Sequence, residues 1–262
     1  MGLEIMGDIR KDYVYDLVRS RKRVDGRGFH EYREISVEKD IIKKAEGSAL
    51  VKIGDTVVLV GVKLEPGEPF SDAPDKGIIM TNAELVPMAS PEFEPGPPSE
   101  NSVELARVVD RGIRGSEAID LEKLCIEEGE KVWMVFIDIH VLDNDGNLTD
   151  AAALGAITSL LNIRIPNERY GLTGEDTLAM RDTPVAVTTV EIEGNILVDP
   201  NFNEENAATS RLTVISNADG TLSGLQKSGR SGLKEEEIVE MVGIGIEKAR
   251  EIREKYVSPL QL

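Results

Sequence analysis

The 262 residues include one cysteine, Cys125, and two histidines, His30 and His140. A single thiol excludes an intrachain disulfide, and so few soft ligands leave no structural zinc site; no metal or cofactor is expected. Cys125 has no histidine near it in sequence and reads as a small buried hydrophobe, and His140 as a core or edge histidine. Long hydrophobic runs are missing too. No stretch approaches the length needed to span a bilayer, and the N-terminus carries no basic, apolar, small-residue leader, so a cytoplasmic chain without membrane contact is expected. Positive charge is scarce: 30 Lys and Arg face 48 Asp and Glu, for a net charge of −18. A phosphate backbone would be repelled by most of such a surface, which excludes a free-standing nucleic-acid binder. Any RNA or DNA contact has to be local.

One stretch offers such a local site. In Asn101–Gly115, Leu105, Val108, Val109, Gly112 and Ile113 recur at helical spacing, while Arg107, Arg111 and Arg114 fall opposite them. At about 100° per residue the three arginines share an arc of roughly 60°, in solvent. Asn101 followed by Glu104 reads as a capping-box start. The guanidiniums form a fork array suited to phosphates, or else a solvated face in which Asp110 pairs with Arg107 and Arg114.

Around this helix the chain alternates strands and helices. Residues 8–19 read as a short amphipathic arm or helix through Ile9, Tyr13, Leu17 and Val18, and Arg19–Arg27 as a basic run closed by a solvated Asp-Gly turn. Strands are predicted at 33–37 and at 49–53 and 56–63, the latter two joined by a type II′ turn at Gly54-Asp55. Gly47-Ser48 suggests a close backbone approach. Residues 64–98 hold 8 of the 12 prolines around one strand at 78–86, a stiff loop of the kind that lies against a partner. A second amphipathic piece is expected at 119–126. Residues 131–142 are apolar enough for a central strand covered on both faces. A small-residue helix over 151–162, a hairpin at 185–198, another around Asp219-Gly220 and a helix over 233–256 complete the pattern. Ile238, Met241, Gly245, Ala249, Ile252 and Tyr256 share one side of that last helix. The expected fold is α+β, two strand-helix halves (about 30–166 and 184–256) with mixed sheets and helices on their faces, preceded by an arm over 1–22, in one subunit of 1–262.

These residues together resemble the RNase PH-like family over about 23–256. The carrying features are Arg23-Val24-Asp25-Gly26-Arg27, the hairpin from Gly47-Ser48-Ala49 to Gly54-Asp55-Thr56, the arginine helix, and Asp199 followed by Glu204-Glu205. The resemblance implies a six-part ring that shortens RNA from its 3′ end with inorganic phosphate as nucleophile. Active members of the family grip that phosphate with a loop of Gly, Ser or Thr, then Arg. The matching stretch here is Gly146-Asn147-Leu148-Thr149-Asp150, with Thr149 at the arginine position and Asp150 adding charge of the wrong sign. Where active members place two aspartates six residues apart, this chain has Glu205 and Arg211, and a guanidinium can neither act as an acid or base near neutral pH nor ligate a cation. Asn147, Leu148, Thr149, Glu205 and Arg211 thus mark degenerate phosphate and acid positions, and no catalytic residue is expected.

Within the family the pattern is similar to the non-catalytic ring subunit of the archaeal exosome. That similarity implies a catalytic RNase PH-like subunit alternating with it, RNA-binding cap proteins, and Arg107, Arg111 and Arg114 lent to a single-stranded RNA 3′ end. It favours Arg111 and Arg114, with Arg107 held by Glu104 or Asp110. The competing readings are a divergent active phosphorolytic exoribonuclease that uses Glu205, and a purely structural ring spacer.

Overall fold

The computed structural model describes residues 2–260, so Met1, the last two residues of the expected subunit and the side chain of Ile9 in the expected arm lie outside the described residues. Among the described residues ten strands form two sheets. The first contains β1 (Ile35–Lys39), β2 (Gly47–Ile53), β3 (Thr56–Gly67), β4 (Ile78–Leu85), β5 (Cys125–Glu127) and β6 (Lys131–Asp143). Its order is β1-β2-β3-β6-β4, with β5 also on β6, and it is mixed because β4 runs parallel to β6. The second contains β7 (Val185–Ile192), β8 (Asn195–Val198), β9 (Ser210–Ser216) and β10 (Leu222–Gly229), antiparallel throughout in the order β10-β9-β7-β8.

The helices explain why two sheets make one body. They are α1 (Gly2–Arg19), α2 (Glu100–Gly115), α3 (Leu148–Leu161), α4 (Phe202–Ala207) and α5 (Glu235–Ile252). α3 packs on β2 and β3 on one side and on β7 on the other, beside α2. Its alanines and other small side chains are buried around the whole circumference, because it is covered on every side rather than lying on a surface. α5 closes the far side of the second sheet against β7 and β9. The layers run sheet, helices, sheet, helix.

Several expectations change. β6 alternates between buried Val135, Ile137, Ile139 and Val141 and half-exposed Met134, Phe136, Asp138, His140 and Leu142. One face of the first sheet therefore stays open, and the apolar character of β6 does not mean burial on both sides. Residues 119–126 are a 3₁₀ turn (Leu121–Leu124) running into β5, and Cys125 is only half-buried. α1 docks through Val14 and Val18, whereas Tyr13 is exposed. In α5, Met241, Gly245, Ala249 and Ile252 are buried as expected, but Ile238 is exposed.

Other local readings hold. Gly54 has φ +57°, as the first position of a II′ hairpin requires. A side chain at Gly47 would collide with the Ser159 carbonyl of α3, the close approach anticipated there. No described helix is long and apolar enough to cross a membrane.

Candidate functional site

The arginine helix has the predicted phase. Ser102, Leu105, Ala106, Val108, Val109, Gly112 and Ile113 are buried, and Arg107, Arg111 and Arg114 are exposed. Its start differs, because Ser99 is the N-cap and its hydroxyl accepts from the N–H of Ser102. Glu104, freed from capping, reaches the second sheet and accepts from Gln226 Nε2 at 3.2 Å and Ser228 Oγ at 2.8 Å.

The three guanidiniums are not equivalent. Arg114 donates to Asp110 at 2.7 Å and to the carbonyl of Ile79, which ties it to β4. Asp110 is engaged further by Thr81 at 3.1 Å. Arg111 donates to Gln226 Oε1 at 3.0 Å. Among the described residues Arg107 has neither a hydrogen-bond nor an ion-pair partner, so the expected hold on it by Glu104 or Asp110 is absent, and Asp110 holds Arg114 instead.

Beside this face lies a cleft of about 190 Å³ lined by Asn101, Glu104, Thr149, Glu205, Arg211 and Gln226, among others. It brings together residues far apart in sequence, including four of the five degenerate positions: Leu148, Thr149, Glu205 and Arg211 line it. The six-residue offset from Glu205 on α4 to Arg211 on β9 makes an ion pair of 3.2 Å. The fifth position, Asn147, stands at the N-cap of α3 with φ +56°, and its side chain does not cap the helix. Its Nδ2 donates instead to Asp150 at 2.8 Å and to Asp199 at 2.7 Å.

Behind the cleft a buried polar network fixes these elements. Arg33 donates to both carboxylate oxygens of Asp199 at 2.9 and 2.8 Å and to the carbonyl of Asp145 at 2.7 Å, which anchors the loop leading into α3. Arg27 adds a contact of 2.8 Å to Asp199. Burial alone would raise the Asp199 carboxyl, but Arg33 and Asn147 outweigh it and hold the group below the usual carboxylate range.

Arg23, placed by sequence in a solvated turn, is only 3% exposed. It donates to Glu204 at 2.8 and 2.5 Å and to the carbonyl of Val198 at 2.9 Å, stapling the N-terminal segment to α4 and β8. Asp150, expected to add a repelling charge to the cleft, is buried and accepts from Tyr32, Asn147 and Thr188. Burial raises its carboxyl to about 6 against these hydrogen bonds. Sequence reasoning missed Tyr32, Arg33 and Thr188 altogether. The resemblance motifs, Arg23–Arg27 and Asp199 with Glu204, were the local signals for the network, and the partners that Arg23, Tyr32 and Arg33 find in it stand more than a hundred residues away.

Two sheets joined through a shared helix layer, with a cleft between α2, the start of α3 and α4, agree with what the chain matches. Residues 31–166 match the model described as 3′ exoribonuclease family, domain 1, and residues 182–248 match domain 2. The chain belongs to the RNase PH family of 3′ exoribonucleases. It is 57% identical over 256 residues to the exosome complex component Rrp42 of Methanocella arvoryzae, covering 97% of this chain and 98% of the relative. A chain of the structure titled "archaeoglobus fulgidus exosome with RNA bound to the active site" superposes with a TM-score of 0.94 at 54% identity, covering 96% of this chain and 99% of that one. A chain of the structure titled "Archaeal exosome core" gives 0.90 at 50% identity, covering 97% and 99%.

Proposed function

We propose that this chain is a non-catalytic subunit of an exosome ring, inactive by itself, which pairs with a catalytic RNase PH-like subunit and lends it arginines for RNA. The observation that carries the reading is the pairing of Glu205 with Arg211 in a cleft where Thr149 supplies no guanidinium. Phosphorolysis needs a phosphate held in line and a group that manages the leaving oxygen's proton or a metal ion. Here one carboxylate is neutralised by the group that stands six residues further on. The relatives named as exosome components, and the RNA in one of their structures, support the assembly and the substrate. The chain acts as a single subunit of two halves in the cytoplasm, on single-stranded RNA 3′ ends, in a ring that also carries RNA-binding cap proteins.

The arginines give this reading its RNA contact. Arg107 and Arg111 flank a groove next to the cleft, and Gln226 lines both. Charge-assisted contacts to phosphate contribute about 1.5–3 kcal/mol each, so replacing Arg107 and Arg111 by Glu should weaken RNA binding by the assembled complex more than about tenfold at modest salt. The log–log salt slope should flatten by roughly 0.7 per contact. Arg114→Glu should do less to RNA and more to stability, because its guanidinium already serves Asp110 and Ile79. Unchanged affinity and slope in an intact ring carrying the double variant would leave this chain a structural spacer.

A further inference from the structure

The cleft holds an anion of its own. The first turn of α3 has no side-chain cap, since Asn147 is turned inward to Asp150 and Asp199. Free N–H groups at a helix start carry partial positive charge and favour an anion. At this start the backbone N–H of Asn147 donates to Glu205 Oε1 at 3.0 Å. Arg211 Nη1 donates to the same oxygen at 3.2 Å. One carboxylate oxygen thus collects two donors, one from the start of α3 and one from β9, that an incoming oxyanion would need. The Glu205 side chain is still 21% exposed, so this corner faces the cleft rather than the core.

We infer that Glu205 is a resident anion, whose carboxylate fills the anion-binding corner formed by the α3 start and Arg211 and so closes the cleft to phosphate. Neighbouring groups fit that role. Glu104 is already satisfied by Gln226 and Ser228, and Thr149 lines the same cleft with a hydroxyl able to donate. A free phosphate would have to displace a tethered carboxylate that bears no cost of translational freedom, which makes Glu205 a strong competitor. Removing it leaves Asn147 N–H and Arg211 without an acceptor, and a small oxyanion is the ligand that restores both bonds. The inference rests on reading the cleft as non-catalytic, and it supplies a reason for that inactivity beyond the missing arginine at Thr149.

The test is calorimetric titration of inorganic phosphate into the purified chain. The wild type should show no saturable binding. Glu205→Ala should acquire it, about tenfold or more tighter than any wild-type signal. Glu205→Gln, of the same shape but neutral, should fall between them, and Glu205→Ala combined with Arg211→Ala should lose the gain. Equal phosphate affinity in wild type and Glu205→Ala overturns the inference, as does absence of binding to Glu205→Ala with native circular dichroism. If the alanine variant does not fold, a Glu205→Gln protein that binds phosphate no better than wild type overturns it equally. The readout is separate from RNA degradation: an active isolated chain would refute the proposed function, whereas a phosphate titration without gain refutes only the role of Glu205.

Discussion

Asp150 accepts from Tyr32 Oη at 2.6 Å, Asn147 Nδ2 at 2.8 Å, and Thr188 N and Oγ1 at 2.9 and 2.7 Å. Among the described residues no cation pairs with it, and burial raises its carboxyl from 3.8 to about 6. The sign of the consequence follows from proton linkage. Between those values the folded state binds more protons than the unfolded state, so stability from this site is greatest in acid and falls as pH rises towards 6. At 1.36 kcal/mol per unit the loss comes to about 2–3 kcal/mol. Asp199 works in the opposite direction, its carboxyl being held low, and contributes stability that is lost as pH falls. Asp150→Asn separates the two. It keeps an acceptor for Tyr32 and Thr188 N, its amide can donate to Thr188 Oγ1, and it does not titrate. Urea unfolding should show the variant gaining about 2–3 kcal/mol relative to wild type between pH 4 and pH 7.5. A difference that does not change with pH would mean that the Asp150 carboxyl titrates in its ordinary range.

At the scale of the elements α3 has little room, because it is the layer on which both sheets rest. A Cβ on Gly155 would stand 2.7 Å from Val60 Cγ2 of β3. Helix propensity alone favours Gly155→Ala by up to about 1 kcal/mol, whereas overpacking costs about 1–3 kcal/mol. The second effect should win. The variant should unfold at lower urea concentration with an unchanged m-value, and a stabilised variant would mean that the sheet yields easily. The sequence announced α2 and α5 clearly, since each has one wet face and the 3.6-residue period is visible. α3 was legible only as a small-residue helix, with no sign of its inward-turned N-cap, because left-handed Asn147 is set by partners at Asp150 and Asp199. β6 misled for a related reason: Met134, Phe136 and Leu142 are apolar on the open face, so composition hid the alternation that burial reveals. The cleft was legible at Thr149, Glu205 and Arg211 through family resemblance. Arg23 was marked by the resemblance motif but its burial was not legible, because its carboxylate partner lies 181 residues away.

For the whole molecule the decisive quantity is the net charge of −18. Its field opposes RNA approach over most of the surface, and two or three arginines on one helix face act only within roughly a Debye length, about 8 Å at physiological salt. The isolated chain should therefore bind single-stranded RNA weakly even though Arg107 is free. An assembly changes the balance in two ways: a partner can cover the open face of the first sheet, where Met80 is 41% exposed and Phe136 half-exposed, and it can set its own cations opposite Arg107 and Arg111. Co-purified with a catalytic RNase PH-like subunit, the chain should give by light scattering one species well above a heterodimer, as closed rings of alternating subunits do. Fluorescence anisotropy should then show RNA binding by that species at least about tenfold tighter than by either chain alone, with a steeper salt slope than the catalytic chain shows by itself. A persistent monomer in the mixture would remove the ring. A ring that binds RNA no better, and with no steeper slope, than its catalytic chain alone would assign the RNA contacts entirely to the partner.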